Sequence, residues 1–578
     1  MTKLKAAPRV ALMALACMAL VQGVALAADP IRITKPIDAT MADLDPLRTW
    51  AAPFLLVHPD NPDIIVAGMH EFRDKTCGLM RSTDGGTTWT ILDRLANPTS
   101  YPFCLANNSN IFQAPIAFGR DNRLYMGMAA WDTNDTRTKS SIAVARSDDL
   151  GDTWTSVVVH DARLAQDPDR FSLRPVTGLV VDTKTGSEDI VYVSYRLQYQ
   201  GQPSGSARPV EPTVAVSRDS GATFTPYSAL AGAFDDPSVV AAQLAAGNAP
   251  ATNNNDPGTF GATPTDPRNF GSSTNGQGMT IDGDGNVYVA WPSQVLNGVL
   301  TNQPRGVFIS KSTDQGQTWS PVQVSQFSTE NRGNTRIAWT PDGGSNGTLL
   351  LVWERSPLPE MNAFSDVVIS RSTDSGATWS EPLSLTQGNA EQSLSGAYLP
   401  NAVVAPNGRV DVVWWDTRDD PGIRANDVYY SYSEDAGVTW SRNIRVTDQT
   451  IDRRFGVWGN NFDQNSPPSL ASTNQYALIA WDDTRHSRGE DGPVMASDPI
   501  ISGEGIGGGV QDVYISAVQF EAIGGGTSSA AKAALAAVIG LVAVGLVLLA
   551  VAGTGRGRGG ASGSSKPAKE AKPKTSIN

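Results

Sequence analysis

Short apolar segments that read as paired β-strands return seven times along the chain. Each module has an apolar strand, a turn rich in Gly, Pro, Asn and Asp, and a second strand whose end carries an aromatic and a charged residue in most copies. Alternating apolar runs bounded by such turn residues are typical of strands. The modules span residues 54–73, 116–132, 178–196, 279–293, 337–355, 402–418 and 469–485.

A second motif follows the first six modules and reads as a hairpin turn. Its first copy is RSTDGGTTWT at 81–90, and every copy keeps Ser, Asp, Gly, Thr and an aromatic at fixed offsets. Asp and Ser cap their own backbone, Gly supplies a positive φ, and Thr with an aromatic restarts a strand. We therefore interpret the motif as scaffold rather than catalytic machinery. The aspartates predicted to cap their own turns are Asp84, Asp149, Asp219, Asp314, Asp374 and Asp435.

The two motifs together give four strands per unit of ~70 residues, which fits the blades of a β-propeller. We predict an all-β fold with seven blades; six blades plus an extra β element is the alternative. The last module is followed by a strand, QDVYISAVQF, without a copy of the turn. Residues 31–34 would close the ring by supplying the outer strand of that blade, which removes a free sheet edge.

Strand direction separates two faces of the predicted disc. Because antiparallel strands alternate in direction, the repeated turns lie on one face and the ends of the second strands on the other. The second face collects carboxylates and arginines, which form either clamps within each blade or a shared site for a carboxylate. These residues are Glu71, Arg73, Asp132, Arg196, Glu354, Arg355, Asp416, Arg418, Asp482, Asp483 and Arg485.

Both ends of the chain carry targeting signals. Basic residues, an apolar run and an Ala-Leu-Ala site predict a secretory signal peptide over 1–27. After the propeller (28–522) and a linker (523–532), the uncharged apolar stretch 533–552 is long enough for one transmembrane helix. The basic tail, 553–578, is expected in the cytoplasm. We therefore expect an exported single-pass membrane protein.

The amino-acid composition argues against some classes of partner and of cofactor. The net charge of −13 argues against a nucleic-acid partner. Two cysteines remain after the signal peptide and the four histidines show no metal spacing, so we expect no metal and no cofactor. Cys77 and Cys104 fall in loops of one face in an oxidising compartment, and we predict a disulfide between them.

The six copies of S-x-D-x-G-x-T-[WF] resemble the Asp-box, or bacterial neuraminidase repeat, of sialidase-like proteins, over most of residues 45–520. Sialidases of this kind hold the sugar carboxylate with three arginines, use an Asp as acid/base and attack with a Tyr activated by a Glu. The stretch His70-Glu-Phe-Arg-Asp74 resembles the family's Glu-x-Arg segment, and Tyr398 resembles its nucleophile. The resemblance implies Asp74, Tyr398 and Glu71 as catalytic residues and Arg73, Arg355, Arg418 and Arg485 as substrate-binding residues.

One position departs from the family pattern. The first arginine of the family sits in a Phe/Tyr-Arg-Ile-Pro motif, and the matching residues here are Trp50-Ala-Ala-Pro53, with Ala51 at the arginine position. The resemblance implies a surface exo-glycosidase acting on sialic acid or a related acidic glycan. The alternatives are a non-catalytic propeller that binds a glycan, another carboxylated ligand or a protein, and a structural envelope protein.

Overall fold

Seven antiparallel sheets surround a central channel in the computed structural model of the chain, within the residues that it describes. The predicted seven-bladed propeller is therefore confirmed, and the six-bladed alternative is wrong. The structure describes residues 32–44, 48–71, 76–92, 114–131, 140–161, 171–199, 210–229, 278–293, 295–296, 299–300, 306–326, 335–355, 365–386, 396–420, 425–453, 455–456, 466–487 and 510–520.

The strands follow one another from the innermost to the outermost position of each blade. The N-terminal strands are β1 (Arg32–Ile33) and β2 (Ile37–Asp38). Blade one has β3 (Trp50–Val57), β4 (Ile65–Glu71), β5 (Thr76–Ser82) and β6 (Thr90–Ile91). Blade two has β7 (Ile116–Phe118), β8 (Leu124–Trp131), β9 (Ser140–Ser147) and β10 (Thr155–Asp161). Blade three has β11 (Phe171–Asp182), β12 (Ile190–Tyr199), β13 (Val210–Ser217) and β14 (Thr225–Ser228).

The remaining blades repeat this order. Blade four has β15 (Gly278–Ile281), β16 (Val287–Ser293), β19 (Gly306–Ser312) and β20 (Ser320–Gln326), with a small hairpin of β17 (Val295–Leu296) and β18 (Val299–Leu300). Blade five has β21 (Thr335–Thr340), β22 (Thr348–Arg355), β23 (Asp366–Ser372) and β24 (Leu383–Ser384). Blade six has β25 (Ala397–Val404), β26 (Val410–Asp416), β27 (Ala425–Ser433), β28 (Ile444–Arg445) and β29 (Ile451–Asp452). Blade seven has β30 (Ser469–Ser472), β31 (Tyr476–Asp483) and β32 (Asp512–Gln519). Two short 3-10 helices are η1 (Arg120–Asn122) and η2 (Arg485–Ser487).

The N-terminal strands complete blade seven. In β1, Arg32 pairs with Gln519 and Ile33 with Val518, as predicted for segment 31–34. The structure adds β2, which pairs further along the same edge of β32. Because the first and the last strands of the propeller share one sheet, the ring is closed by hydrogen bonds and the edge of β32 is covered.

Apolar side chains of neighbouring blades form the cores between the sheets. Each second strand is buried on both faces, which explains its nearly continuous run of β-branched and aromatic residues. Full burial of a large apolar side chain contributes ~1.5–3 kcal/mol, so these rows supply much of the stability of the ring. The largest fully buried side chains include Trp291, Trp353, Trp414, Trp415 and Trp481.

The repeated turns have one hydrogen-bond pattern, illustrated by blade four. Ser312 Oγ donates to Asp314 Oδ1 at 2.8 Å, and the backbone N–H of Gly316 donates to Ser312 Oγ at 2.8 Å. Thr318 N–H donates to Asp314 Oδ1 at 2.9 Å, and Trp319 Nε1 donates to the Gly316 carbonyl at 3.1 Å. The same Ser-to-Asp and Thr-to-Asp bonds occur in all six copies, so the predicted self-capping is confirmed.

The contacts divide the chain into residues 1–520 and 521–578. The predicted membrane span at 533–552 and the signal peptide at 1–27 lie outside the described residues. Among those that are described, no helix has the length and apolar character needed to cross a bilayer.

Candidate functional site

Strand register places the repeated turns and the predicted site residues at opposite ends of each blade. In blade one, Ile65 pairs with Ser82, where the turn begins, and Glu71 pairs with Thr76 at the far end of the same two strands. We call the far side the strand-end face. Its second strands end at residues that include Glu71, Arg355, Asp416 and Asp483.

Tyr398 lies near the start of β25, the innermost strand of blade six. Its side chain is largely buried, and its phenol oxygen accepts a hydrogen bond of 2.8 Å from Asn426 Nδ2 on β27. The guanidinium carbon of Arg453 lies 5.3 Å from the centroid of the ring. A donated hydrogen bond and a nearby cation both stabilise negative charge on a phenol oxygen.

The backbone beside Tyr398 is strained and held by a neighbouring blade. Leu399 has a φ of 50°, although it precedes Pro400, and the pairing register of β25 shifts between Tyr398 and Asn401. The Leu399 N–H donates to Glu354 Oε2 at 2.8 Å. Glu354 lies at the end of β22 in blade five and is 2% exposed. A carboxylate of one blade thus fixes the strand that carries Tyr398 in the next.

Blade one contains the same arrangement without a phenol. Ala52 has a φ of 57° before Pro53, and its N–H donates to Asp482 Oδ1 at 2.9 Å. Asp482, at the end of β31 in blade seven, also accepts a bond of 2.8 Å from Ser466 Oγ. Ala51 therefore occupies the place that Tyr398 has in blade six, and its methyl group is buried in the core between blades one and two.

Arg418 and Arg485 are engaged within their own blades. Arg418 donates to Asp416 and lies 4.1 Å above the Tyr429 ring on β27. Arg485 donates to both carboxylate oxygens of Asp483, at 3.0 and 2.8 Å, and lies 3.9 Å above Tyr514 on β32. Both aromatic rings belong to the third strand of a blade, two positions outward from the channel. This geometry favours the clamp interpretation for these two arginines.

Arg355 is less fully engaged. It follows Glu354 directly at the strand-end face, and Nη2 donates to Asp366 Oδ2 at 3.3 Å. Its side chain is 30% exposed, and its buried Nε has no hydrogen-bond partner among the described residues. Among the described predicted ligand-binding arginines, Arg355, Arg418 and Arg485, Arg355 has the most donor capacity left for a ligand.

The other predicted site residues are partly described. Glu71 is buried, and its Oε1 accepts bonds from the N–H and Oγ1 of Thr49 at 3.2 and 3.0 Å. Cys77 is disulfide-bonded. Arg73, Asp74 and Cys104 lie outside the described residues, so the pairing of Cys77 with Cys104 stays a prediction.

Sequence reasoning missed Asn426 and Arg453. Asn426 is fully buried in β27, a strand that is otherwise rich in aromatic and apolar residues. A buried amide in such a strand needs a hydrogen-bond partner, and that requirement is the sequence signal that could have pointed to it. No comparable signal exists for Arg453, because its contact with Tyr398 depends on the fold alone.

A cavity of about 1060 Å³ occupies the central channel on the side of the turns between first and second strands. Its walls are both apolar and polar and include Phe54, Val181, Asp60 and Asp121, while Tyr398 is not among its lining residues. Arg336 also lines it, and burial lowers the pKa of this guanidinium to about 10. This cavity and the Tyr398 cluster are therefore different places.

Three potential metal ligands, Asp38, His486 and Asp512, approach within 4.8 Å of one another in blade seven. Arg48 Nε donates to Asp512 Oδ1 at 2.6 Å, and His486 Nδ1 lies 2.7 Å from Asp512 Oδ2. Because an arginine already neutralises the buried carboxylate, these residues fit a closed ion-pair network better than a cation site.

No protein-family model matches the chain. A sialidase from Clostridium perfringens is 30% identical over 112 residues, which cover 18% of this chain and 29% of that enzyme. Among solved structures, a Hadza microbial sialidase is 15% identical, with 78% of this chain and 75% of that chain covered and a TM-score of 0.39. A leech intramolecular trans-sialidase with 2,7-anhydro-Neu5Ac is 10% identical over 78% and 94% of the two chains, with a TM-score of 0.40. An α-L-arabinanase from Penicillium chrysogenum with arabinobiose is 12% identical over 67% and 94%, with a TM-score of 0.37. TM-scores below 0.5 leave function open, so the sialidase segment alone bears on it.

Proposed function

We propose that the chain is an exported, surface-anchored exo-glycosidase that acts on sialic acid or a related acidic glycan, with Tyr398 as its nucleophile. The observation that carries the proposal is the setting of the phenol, which accepts a hydrogen bond from Asn426 and lies under the guanidinium of Arg453. A nucleophilic tyrosine needs its oxygen to carry negative charge as the bond to the sugar forms. The segment similar to a sialidase supports the class of substrate.

The remaining roles are those that the resemblance to sialidases implies. In the proposal the Tyr398 oxygen bonds to the anomeric carbon as the bond to the leaving group breaks. Asp74 protonates the departing oxygen and later activates water, and Glu71 accepts the proton that the Tyr398 phenol loses as its oxygen bonds to the sugar. Arg73 and Arg355 hold the carboxylate of the sugar, because bidentate guanidinium contacts suit that group. Arg418 and Arg485 have no contact with the sugar in this proposal, because each guanidinium is bound by an aspartate of its own blade.

A non-catalytic propeller that binds a glycan or a protein is the second candidate. The observation that favours it is Ala51, which is fully buried and presents no guanidinium at the position where sialidases carry their first arginine. Loss of one such charge-assisted contact is expected to remove ~1.5–3 kcal/mol from the interaction with a carboxylated ligand, which is enough to impair turnover.

The test is turnover of a fluorogenic sialoside by the purified chain, with an uncharged fluorogenic arabinoside as the comparison substrate. Tyr398→Phe is expected to abolish turnover while the chain stays folded, with a modest fall in the melting temperature because the buried Asn426 amide loses its acceptor. Arg355→Ala is expected to weaken sialoside binding by ~1.5–3 kcal/mol. Arg418→Ala is the matched control and should reduce stability while leaving KM near that of the wild type.

Two outcomes would contradict the proposal. A folded wild-type chain that hydrolyses no sialoside is not the proposed enzyme, and binding to acidic glycans on an array would then support the second candidate. Equal turnover by the wild type and Tyr398→Phe would remove Tyr398 from the mechanism.

A further inference from the structure

We propose that Glu354 is a positioning residue for Tyr398: by holding the Leu399 N–H it fixes the direction in which the phenol leaves the innermost strand of blade six. The importance of that direction for catalysis rests on the proposed function. The hydrogen bond from the Leu399 N–H to Glu354 Oε2, at 2.8 Å, is independent of the proposed function.

The strand beside Tyr398 adopts a backbone that its sequence disfavours. Leu399 has a φ of 50°, in the left-handed region that residues with a side chain rarely adopt. A following proline biases a residue toward extended backbone, which makes this conformation more costly still. Such strain persists where the surrounding structure over-determines it, and it is concentrated at functional sites. The contact that holds Leu399 is the buried carboxylate of Glu354.

Blade one contains the same carboxylate-to-backbone hydrogen bond beside a proline, but no phenol next to it. Asp482 ends the second strand of blade seven and binds the N–H of Ala52, just as Glu354 ends the second strand of blade five and binds Leu399. Both bound residues precede a proline, and in both strands the pairing register shifts at this point. The residue before each is presented by the same bulge, and it is Ala51 in one case and Tyr398 in the other. The carboxylate therefore holds the backbone of the bulge in both blades, although only blade six has a phenol at this position.

Tyr398 is then held at three points. Glu354 fixes the adjacent backbone, Asn426 binds the phenol oxygen, and the Arg453 guanidinium faces the ring. Release of the backbone would let the bulge relax and shift the oxygen. A displacement of ~1 Å at a reacting group can reduce turnover ~100-fold.

The first experiment measures the backbone without any substrate. Hydrogen exchange at the amides of 396–404 and 50–57 is followed by mass spectrometry in the wild type, Glu354→Ala and Asp482→Ala. Glu354→Ala is expected to accelerate exchange at least tenfold in the first segment and not the second, and Asp482→Ala the reverse. Unchanged protection of Leu399 in Glu354→Ala would overturn the proposal.

The second experiment asks whether the carboxylate acts through the backbone. Glu354→Gln keeps an oxygen that accepts the Leu399 N–H, so its exchange and its kcat should stay within about threefold of the wild type, while Glu354→Ala loses about 100-fold in kcat with little change in KM. Asp482→Ala should leave kcat within about twofold, since no phenol depends on it. A Glu354→Gln variant that keeps its protection but loses kcat would show that the charge matters, and would overturn the positioning role.

A further variant covers the case in which Glu354→Ala does not fold. Leu399→Gly tolerates a positive φ, so a double variant that adds Glu354→Ala to it should lose less stability than Glu354→Ala alone and still have a lower kcat. Unchanged kcat in that double variant contradicts the proposal. If the wild type turns over no sialoside, the proposed function fails, whereas the exchange measurement still decides whether Glu354 holds this strand.

Discussion

Asp482 shows how a single residue in this ring is set by its surroundings. Its carboxyl is fully enclosed between blades seven and one, and burial raises its pKa to about 7. The nearby charge of Asp483 acts in the same direction, whereas the hydrogen bonds from Ser466 and the Ala52 N–H oppose the shift. The carboxyl of Asp482 therefore favours its neutral form more than an exposed aspartate does, and it holds the backbone of blade one through the Ala52 N–H.

This setting predicts an unusual pH dependence for Asp482→Asn. The pKa of Asp482 is about 7 in the folded state and has the usual value of 3.8 in the unfolded state. Between these two pH values the carboxyl is protonated in the folded state and ionised in the unfolded state. The carboxyl thus costs increasing stability as pH rises from about 4 to 7. Asp482→Asn has no such dependence, so its melting temperature relative to the wild type should rise over this range and then level off. The measurement is calorimetry from pH 4 to 8; a relative gain that shrinks as pH rises would contradict the assigned pKa.

At the scale of an element, the repeated turn is stabilised by one carboxylate that serves several donors. Thr378 donates to Asp374 from both its hydroxyl and its backbone N–H, and Ser372 Oγ donates to the same carboxylate. Hydrogen bonds from Thr378 lower the pKa of Asp374 below its usual 3.8, and burial opposes them only weakly. The ionised form is therefore the one that the turn requires.

Asp374→Ala is expected to lower the free energy of unfolding by ~1 kcal/mol, the typical contribution of a capping carboxylate. Because the folded pKa is depressed, the contribution is fully present above pH 3.8 and is lost as the pH falls through the folded pKa. The difference between the variant and the wild type should therefore shrink in acid. Urea denaturation at pH 7 and pH 3 measures it, with the exposed Glu381→Ala as the control for charge removal near the same turn. Loss of ligand binding at an unchanged melting temperature would place the turn in the functional site instead.

At the scale of the whole molecule, the N-terminal segment replaces the fourth strand that blade seven lacks. In blades five and six, a threonine after the fourth strand donates to the aspartate near the start of the third strand: Thr386 to Asp366 and Thr447 to Asp427. In blade seven the donor to Asp512 is Thr40, from the opposite end of the chain. Residues 37–40, Ile-Asp-Ala-Thr, thus take the place in blade seven that residues 383–386, Leu-Ser-Leu-Thr, have in blade five. Each segment ends in the threonine that donates to the aspartate of the third strand.

Removal of residues 1–40 is expected to destabilise the ring much more than removal of residues 1–30. The longer truncation deletes β1, β2 and the Thr34, Ala39 and Thr40 contacts with β32, each hydrogen bond contributing ~1 kcal/mol, so a loss of ~4 kcal/mol or more is expected. The bare edge of β32 should also promote association. Chemical denaturation and light scattering measure both effects, and equal stability of the two truncations would show that closure does not depend on these strands.

The sequence determined the repeating architecture because its signals are local. Alternating apolar residues, glycines at positive φ and self-capping aspartates act within a few neighbouring residues, so seven modules and six turns could be read directly. It also predicted that the turns and the ends of the second strands lie at opposite ends of the blades, which the strand register confirms, while the role of Tyr398 stays a prediction. The sequence could not decide whether Arg418 and Arg485 contact a ligand or residues of their own blades, because a Trp-x-Asp-x-Arg pattern does not determine the position of the guanidinium group.

Only the tertiary structure decided the surroundings of Tyr398. Glu354 and Asn426 lie 44 residues before it and 28 after it, and Arg453 lies 55 after it, on segments brought together by the ring. The strain at Leu399 and Ala52 is likewise invisible in composition, because an isolated chain would favour an extended backbone before proline. Contacts between neighbouring blades outweigh that local preference: Leu399 is held when blade six packs against blade five, and Ala52 is held only when the ring closes and blade seven meets blade one.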